Sequence, residues 1–181
     1  MADGKMDVLV VVDMQNDFIS GPLGTPEAQD IVPRVLEKVR GFSGLVLFTR
    51  DTHQPDYLDT QEGSLLPVVH CLVGSEGWRI HPDLDALRKQ PAIDKPAFGA
   101  WRLGEALKTL NQQTPIHSIT FVGVCTDICV ISNALLVKAA LPEANIIVDA
   151  ACCAGVTKKS HAIALEAMKS CQIHIENEAV S

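Results

Sequence analysis

Short β-branched runs alternate with longer amphipathic segments along this chain. Apolar runs typical of strands occur at residues 7–12, 45–49, 118–124, 145–148 and 172–175. Helical periodicity occurs at residues 28–40, 101–111, 127–140 and 158–170. This alternation predicts a Rossmann-like α/β fold, a three-layer αβα arrangement around a central, mainly parallel sheet.

One long stretch, residues 51–91, lacks a clear period. It holds several glycines and prolines and three of the six histidines. Loops of this length in compact domains are usually functional or disordered. Because this one also carries Trp78 and a group of leucines and valines, we expect an ordered, functional loop.

Length and charge narrow the function classes. The 181 residues fit one domain, residues 1–181, without repeats or a low-complexity linker. The net charge of −7, with scattered lysines and arginines, argues against binding to nucleic acid or an anionic membrane. A small-molecule partner is therefore expected.

The apolar runs and the cysteines indicate the cellular compartment of the protein. The apolar run near the N-terminus is too short for a secretory signal, and no segment is long enough to span a bilayer. A cytoplasmic protein is predicted, and its cysteines are then expected to be reduced thiols although their number is even. These cysteines are Cys71, Cys125, Cys129, Cys152, Cys153 and Cys171.

Polar residues follow two of the predicted strands. The first strand ends in VVVDMQNDF, which places Asp13 at its carboxyl end, and the second ends in FTRDTH, with Asp51 and His53 on one face. Ligands of open α/β sheets bind beyond these strand ends. Asp13 taken alone is equally consistent with capping a turn.

The segment FVGVCTDICV joins a predicted strand to a predicted helix. Thr126 is a suitable N-cap, and Cys129 then lies in the first helical turn. Free N–H groups and the helix dipole favour a thiolate there and could bind an oxyanion. A lone cysteine at such a position is nevertheless more often a buried structural residue.

Three blocks, in order, resemble one family. VVVDMQNDF, DKPAFGAW and GVCTDICV are similar to the opening strand, the lysine block and the nucleophile turn of isochorismatase-like cysteine hydrolases, and especially of nicotinamidases. The resemblance implies the isochorismatase-like hydrolase fold and a catalytic triad of Asp13, Lys95 and Cys129. It also implies oxyanion donors at the backbone N–H groups of Cys125 and Cys129, and a cis peptide bond before Cys125.

The same resemblance implies a metal site. Its ligands would be Asp51 and His53 in the D-x-H arrangement, His70 in LPVVHC and, as an additional ligand, Glu62 in DTQEG. Such ligands suit Zn²⁺ best, and Mn²⁺ or Fe²⁺ also. Without the resemblance, His53 and His70 could equally be ordinary loop histidines. The other four have no partner motif and are expected to be structural or exposed: His81, His117, His161 and His174.

Aromatic residues near these blocks could hold a flat ring. Phe18, Phe98 and Trp101 are the candidate walls of the substrate site. Core packing is the competing interpretation for each, particularly for Phe98 and for Trp101, which also begins a predicted helix.

The resemblance favours a metal-assisted amidohydrolase that converts nicotinamide to nicotinate and ammonia for NAD recycling, in a homo-oligomer. Another small amide or a carbamoyl compound is the alternative substrate. Vinyl ether hydrolysis is disfavoured, because the isochorismate hydrolases lack the nucleophilic cysteine. A non-catalytic metal-binding scaffold is a third possibility. A dinucleotide-dependent dehydrogenase is disfavoured, since no G-x-G-x-x-G follows the first strand.

Overall fold

A computed structural model describes residues 5–178, which form a six-stranded sheet between two helical layers. The strands are β1 (Met6–Val12), β2 (Leu45–Asp51), β3 (Ile93–Lys95), β4 (Ile116–Val124), β5 (Asn145–Ala154) and β6 (His174–Glu176). Their order is β3-β2-β1-β4-β5-β6, and every neighbouring pair is parallel. The predicted α/β fold class is confirmed.

The helices include four that the periodicity predicts, with ends shifted by a few residues. The α-helices within the described residues are α1 (Asn16–Ile19), α2 (Pro26–Gly41), α3 (Gln61–Leu65), α4 (Pro82–Asp85), α5 (Trp101–Gln113), α6 (Ile131–Ala140) and α7 (Lys158–Ser170). A 3-10 turn, Tyr57–Asp59, precedes α3, and a π-helical turn, Thr126–Val130, leads into α6. None of the helices within residues 5–178 is long and apolar enough to cross a membrane.

The sheet has a core on each face because side chains alternate along its strands. On β1, Val8 and Val10 pack into one core with α5, α6 and α7. Leu9 and Val11 pack into the other core with α1, α2 and α4. The central strand is thus buried on both sides, which explains its continuous apolar run.

The strand order reverses beside β1. The chain leaves β1 outward through β2 and β3 and returns to its other side as β4. Gly123, near the end of β4, has a φ of +117°, and a Cβ there would lie 2.1 Å from the carbonyl oxygen of Val12. Glycine therefore lets β4 end tightly against β1, at the switch point where such sheets bind ligands.

Two local expectations need revision. Thr126 is not the N-cap of a helix: Cys125 occupies that place without a side-chain bond, and the Thr126 hydroxyl lies 2.8 Å from Nδ1 of His161. The turn begins with a bond from the Val130 N–H to the Cys125 carbonyl oxygen at 3.0 Å, the five-residue spacing of a π-helix. Residues 51–91 are structured, as expected, but contain the 3-10 turn, α3 and α4 rather than one continuous loop.

Candidate active site

Asp13 lies directly after β1 with a φ of +47° and is completely buried. The Thr49 hydroxyl donates to its Oδ1 at 2.7 Å, and Nζ of Lys95 lies 2.7 Å from its Oδ2. The positive φ turns the chain away from the sheet immediately after the strand. The carboxylate is thereby fixed at the switch point, facing a buried cation.

Lys95 ends β3, in register with Asp51 of β2, and is only 1% exposed. Besides Asp13, its Nζ contacts Oδ1 of Asp51 at 3.1 Å, the carbonyl oxygen of Ala97 at 3.0 Å and Sγ of Cys129 at 3.4 Å. The structure therefore brings the three predicted triad residues together around one ammonium group.

The protonation states follow from burial and from this one cation. Burial alone would lower the pKa of Lys95, but Asp13, Cys129 and Asp51 raise it, so that Lys95 is charged. Burial, with the adjacent Asp13, raises the pKa of Cys129 well above its ordinary value. The resting residue is a thiol, so the expected stabilisation of a thiolate by the helix start is outweighed.

Burial also raises the pKa of Asp13, although the Lys95 charge opposes this. The carboxyl group is therefore more basic than an exposed aspartate. A buried carboxylate with a raised pKa, beside a neutral thiol, is suited to accept a proton from that thiol.

A second cluster joins the triad through Asp51. Asp51, His53, Glu62 and His70 each present one ligand atom, and these atoms lie within 4.8 Å of one another. Oδ2 of Asp51 is 3.0 Å from Nε2 of His53 and 3.7 Å from Nε2 of His70, and Oε1 of Glu62 is 3.6 Å from Nε2 of His53. All four predicted metal ligands are thus adjacent.

The chemistry of this cluster fits a divalent metal ion. Nε2 of His53 is buried and makes no hydrogen bond within residues 5–178. Nδ1 of His70 is 2.8 Å from the Val68 carbonyl oxygen, to which it can donate, leaving Nε2 free as a ligand. Ligands about 2.0 Å from a tetrahedral zinc ion lie about 3.3 Å apart, close to the separations in the cluster.

One cavity of about 320 Å³ opens onto both clusters. Cys129 and Cys125 line it together with Asp51, His70 and Glu62, whereas Lys95 and Asp13 are not among its lining residues. Most of the remaining wall is apolar and includes both predicted phenylalanines. These other lining residues are Phe18, Leu23, Thr25, Ala28, Leu66, Phe98, Val124, Ile128, Ala154, Gly155 and Val156.

Trp101, the third predicted aromatic wall, does not line this cavity. It is 69% exposed and borders a separate surface depression with Leu136 of α6. The prediction for Trp101 is therefore wrong, because the first residue of α5 lies on the outer side of the helical layer.

The peptide bond between Val124 and Cys125 is cis, as the resemblance implied. Cys125 and Cys129 face the same cavity. Their backbone N–H groups stay candidate oxyanion donors.

Sequence reasoning missed several polar residues that support the site. Gln15 bonds both the N–H and the carbonyl of Asp51, and Asp17 accepts a bond from the Cys71 N–H at 2.7 Å. Asn133 donates to the carbonyl oxygen of Cys129 at 2.7 Å. The available signal was the polar run directly after β1, in which only Asp13 was singled out.

The parallel sheet, with a buried cluster of aspartate, lysine and cysteine at its strand-order switch, is typical of hydrolases of the α/β class. Residues 7–179 match the family model of the isochorismatase domain. The chain belongs to the isochorismatase family.

Relatives of known structure or activity agree in length with this chain. The nicotinamidase/pyrazinamidase of Mycobacterium tuberculosis is 26% identical over 191 residues, covering 94% of this chain and 98% of the relative. The pyrazinamidase of Pyrococcus horikoshii in complex with zinc is 27% identical, with a TM-score of 0.81 over 94% of this chain and 98% of the other. The N-carbamoylsarcosine amidase of Thermoplasma acidophilum shares the fold, at 24% identity and a TM-score of 0.74 over 97% and 99%.

Proposed function

We propose that the chain is a metal-assisted cysteine amidohydrolase that converts nicotinamide to nicotinate and ammonia. The observation that carries the proposal is that one cavity borders both Cys129 and the cluster of Asp51, His53, Glu62 and His70. Lys95 and Asp13 lie behind the cysteine. The nicotinamidase and pyrazinamidase relatives, which match nearly the full chain, support the same substrate class.

The first half of the reaction uses the thiol as a nucleophile. Asp13 accepts the proton of Cys129 as its sulfur attacks the amide carbon, and Asp13 then gives that proton to the departing ammonia. Lys95 stays charged and balances the negative charge that passes between the thiol and the carboxylate. The contacts of its Nζ with Sγ of Cys129 at 3.4 Å and with Oδ2 of Asp13 at 2.7 Å support this role.

The second half hydrolyses the thioester. Asp13, again a carboxylate, takes a proton from the attacking water and returns it to the Cys129 sulfur. The backbone N–H groups of Cys125 and Cys129 are the proposed donors to the oxyanion in both halves.

Asp51, His53, Glu62 and His70 would hold the metal ion, with Zn²⁺ favoured and Mn²⁺ or Fe²⁺ as alternatives. The bound ion would supply a Lewis-acid site for a nitrogen atom of the substrate ring. Phe18 and Phe98 offer apolar surfaces beside it for a flat ring. A substrate held at both ends is oriented with its amide toward Cys129.

Comparison of three amides tests the proposal. Nicotinamide and pyrazinamide both carry a ring nitrogen at the same position relative to the amide, so both should release ammonia. Benzamide has no ring nitrogen, and its kcat/KM should be much lower than that of nicotinamide. Equal kcat/KM for benzamide and nicotinamide would exclude an orienting role of the metal. Ammonia from a carbamoyl compound but from none of these three would refute the nicotinamide assignment and leave the cysteine chemistry in place.

The wider role that we propose is recycling of NAD in the cytoplasm by a homo-oligomer. The carboxylate product, nicotinate, is the expected point of re-entry into NAD synthesis. Deletion of the gene should make cells accumulate nicotinamide, and sedimentation of the purified protein should give a mass above that of one 19.5 kDa chain.

A further inference from the structure

Gln15 is a fully buried polar residue that the proposed chemistry does not use. Burying an amide side chain is unfavourable unless its hydrogen bonds are made inside the protein. Here Oε1 accepts the Asp51 N–H at 2.7 Å, and Nε2 donates to the carbonyl oxygens of Asp51 and Trp78, both at 2.9 Å. One N–H and two carbonyls fix the orientation of the amide, since the flipped amide would satisfy none of them.

These bonds replace a missing strand partner. The pairing of β1 with β2 ends at Val11 and Phe48, because the chain turns away from the sheet at Asp13. Asp51 lies three residues further along β2, where β1 no longer offers backbone groups. The Gln15 side chain bonds this free edge, while β3 holds the opposite edge through the Thr52 N–H and the Lys95 carbonyl oxygen, 2.9 Å apart.

Asp51 is the residue shared by the two clusters. Its Oδ1 contacts Nζ of Lys95, and its Oδ2 faces His53 and His70. A displacement of its backbone would therefore misplace one oxygen in each cluster. Gln15 also donates its own N–H to the Asp13 carbonyl oxygen at 2.7 Å, so that the same residue links the proposed base with the metal ligand.

We propose that Gln15 is a positioning residue that holds Asp51 as a bridge between Lys95 and the metal ion, and thereby sets the affinity of the site for that ion. The inference rests on the metal site of the proposed function. Loss of partners that orient a metal ligand typically weakens metal binding by about 10–100-fold.

Zinc affinity of the metal-free protein, measured by competition with a chromophoric chelator, tests the proposal. Gln15→Met keeps the length of the side chain but not its amide, and should bind zinc about 10–100-fold more weakly than wild type. Gln15→Asn keeps the amide but shortens the side chain by one methylene group, so that the amide no longer reaches Asp51. It should also bind zinc more weakly than wild type, and it replaces Gln15→Met if that variant does not fold. Asp51→Asn gives the background from zinc bound elsewhere.

Asn133 provides a matched control. It too is a fully buried amide, accepting one N–H from Ala100 and donating to two carbonyls, those of Phe98 and Cys129. Asn133→Leu should lower the melting temperature as Gln15→Met does, yet bind zinc with wild-type affinity.

Different results would contradict the positioning role of Gln15 and the metal site itself. Wild-type zinc affinity in the folded Gln15 variants, or an equal loss in Asn133→Leu, would overturn the positioning role alone. A wild-type protein that takes up no zinc beyond the Asp51→Asn background would overturn the metal site of the proposed function and this inference with it.

Discussion

At the scale of single residues, charge balance decides how the site works. Lys95 is one buried cation that faces two carboxylates, Asp13 and Asp51, and a thiol. Burial raises the pKa of Asp13. At Asp51 burial acts in the same direction, but the adjacent His53 ring and the Lys95 charge outweigh it and lower the pKa. Two carboxylates that share one lysine are thus suited to different tasks, proton transfer and metal binding.

The raised pKa of Asp13 predicts that kcat/KM depends on pH. Only the ionised carboxylate can accept a proton, and a raised pKa means that this form is lost at a higher pH than for an exposed aspartate. In zinc-saturated enzyme, kcat/KM should therefore fall as the pH is lowered through that raised pKa. A profile that stays flat down to the pH at which the protein unfolds would remove Asp13 from the role of base.

The sequence indicates some of these residues more directly than others. Asp13 and Asp51 could be found because each lies at the carboxyl end of a recognisable strand, and Cys129 because it lies in the turn that follows another such strand. Lys95 could be assigned only by family resemblance, since a lysine taken alone is usually a solvated surface residue. Gln15 and Thr49 were not predicted, because their importance depends on which strand ends lie next to each other in the sheet. A single sequence does not contain that information.

At the scale of elements, the π-helical turn that carries Cys129 depends on its neighbour α7. The Asp127 carboxylate accepts the Val156 N–H at 3.0 Å, and the His161 side chain bonds Thr126. Val156 also lines the cavity. The start of α7 therefore supports both the turn that carries Cys129 and one wall of the cavity.

The start of α7 carries a capping box. The Thr157 hydroxyl accepts the Ser160 N–H at 3.0 Å, and the Ser160 hydroxyl accepts the Thr157 N–H at 3.1 Å. Thr157→Ala should lower the free energy of unfolding by about 1 kcal/mol, and the melting temperature by about 2–4 °C. Thr114→Ala, at a helix end where no side-chain cap is needed, is the control; equal effects of the two substitutions would contradict a specific cap.

Long periodic elements were predicted better than short ones. The helices α2, α5, α6 and α7 bury one apolar face each, so their period is visible in the sequence. The three-residue strand β3 and the short helices α1, α3 and α4 are too brief to show a period. Their positions are set by tertiary contacts, such as the register of Lys95 with Asp51.

At the scale of the whole molecule, the proposed metal ligands connect the long segment 51–91 to the sheet. Asp51 belongs to β2, whereas His53, Glu62 and His70 lie in the following segment. An ion that binds these four residues in the folded state only must stabilise the fold by mass action.

Removal of the ion should therefore destabilise the protein. At an ion concentration of 100 times Kd the stabilisation is about 2.7 kcal/mol, so chelation should lower the melting temperature by about 5–10 °C. Thermal unfolding with and without chelator measures this. Asp51→Asn should show no chelator effect, and an unchanged wild-type melting temperature would argue against the site.

Glu62 can be tested in the same experiment. It is the most exposed of the four candidate ligands, with 22% of its side chain accessible. Glu62→Gln should reduce the chelator-dependent shift and weaken zinc binding. An unchanged affinity would leave Asp51, His53 and His70 as the three protein ligands.

Ammonia release from nicotinamide by wild type, Cys129→Ala and Cys125→Ala is the most direct test of the central claim. Wild type should turn nicotinamide over, and Cys129→Ala, still folded, should lose several orders of magnitude in kcat because the nucleophile is gone. Cys125→Ala should keep measurable turnover, since only its backbone N–H is proposed to act. Turnover that survives in Cys129→Ala, or that disappears in Cys125→Ala alone, would contradict the assignment of Cys129 as the nucleophile.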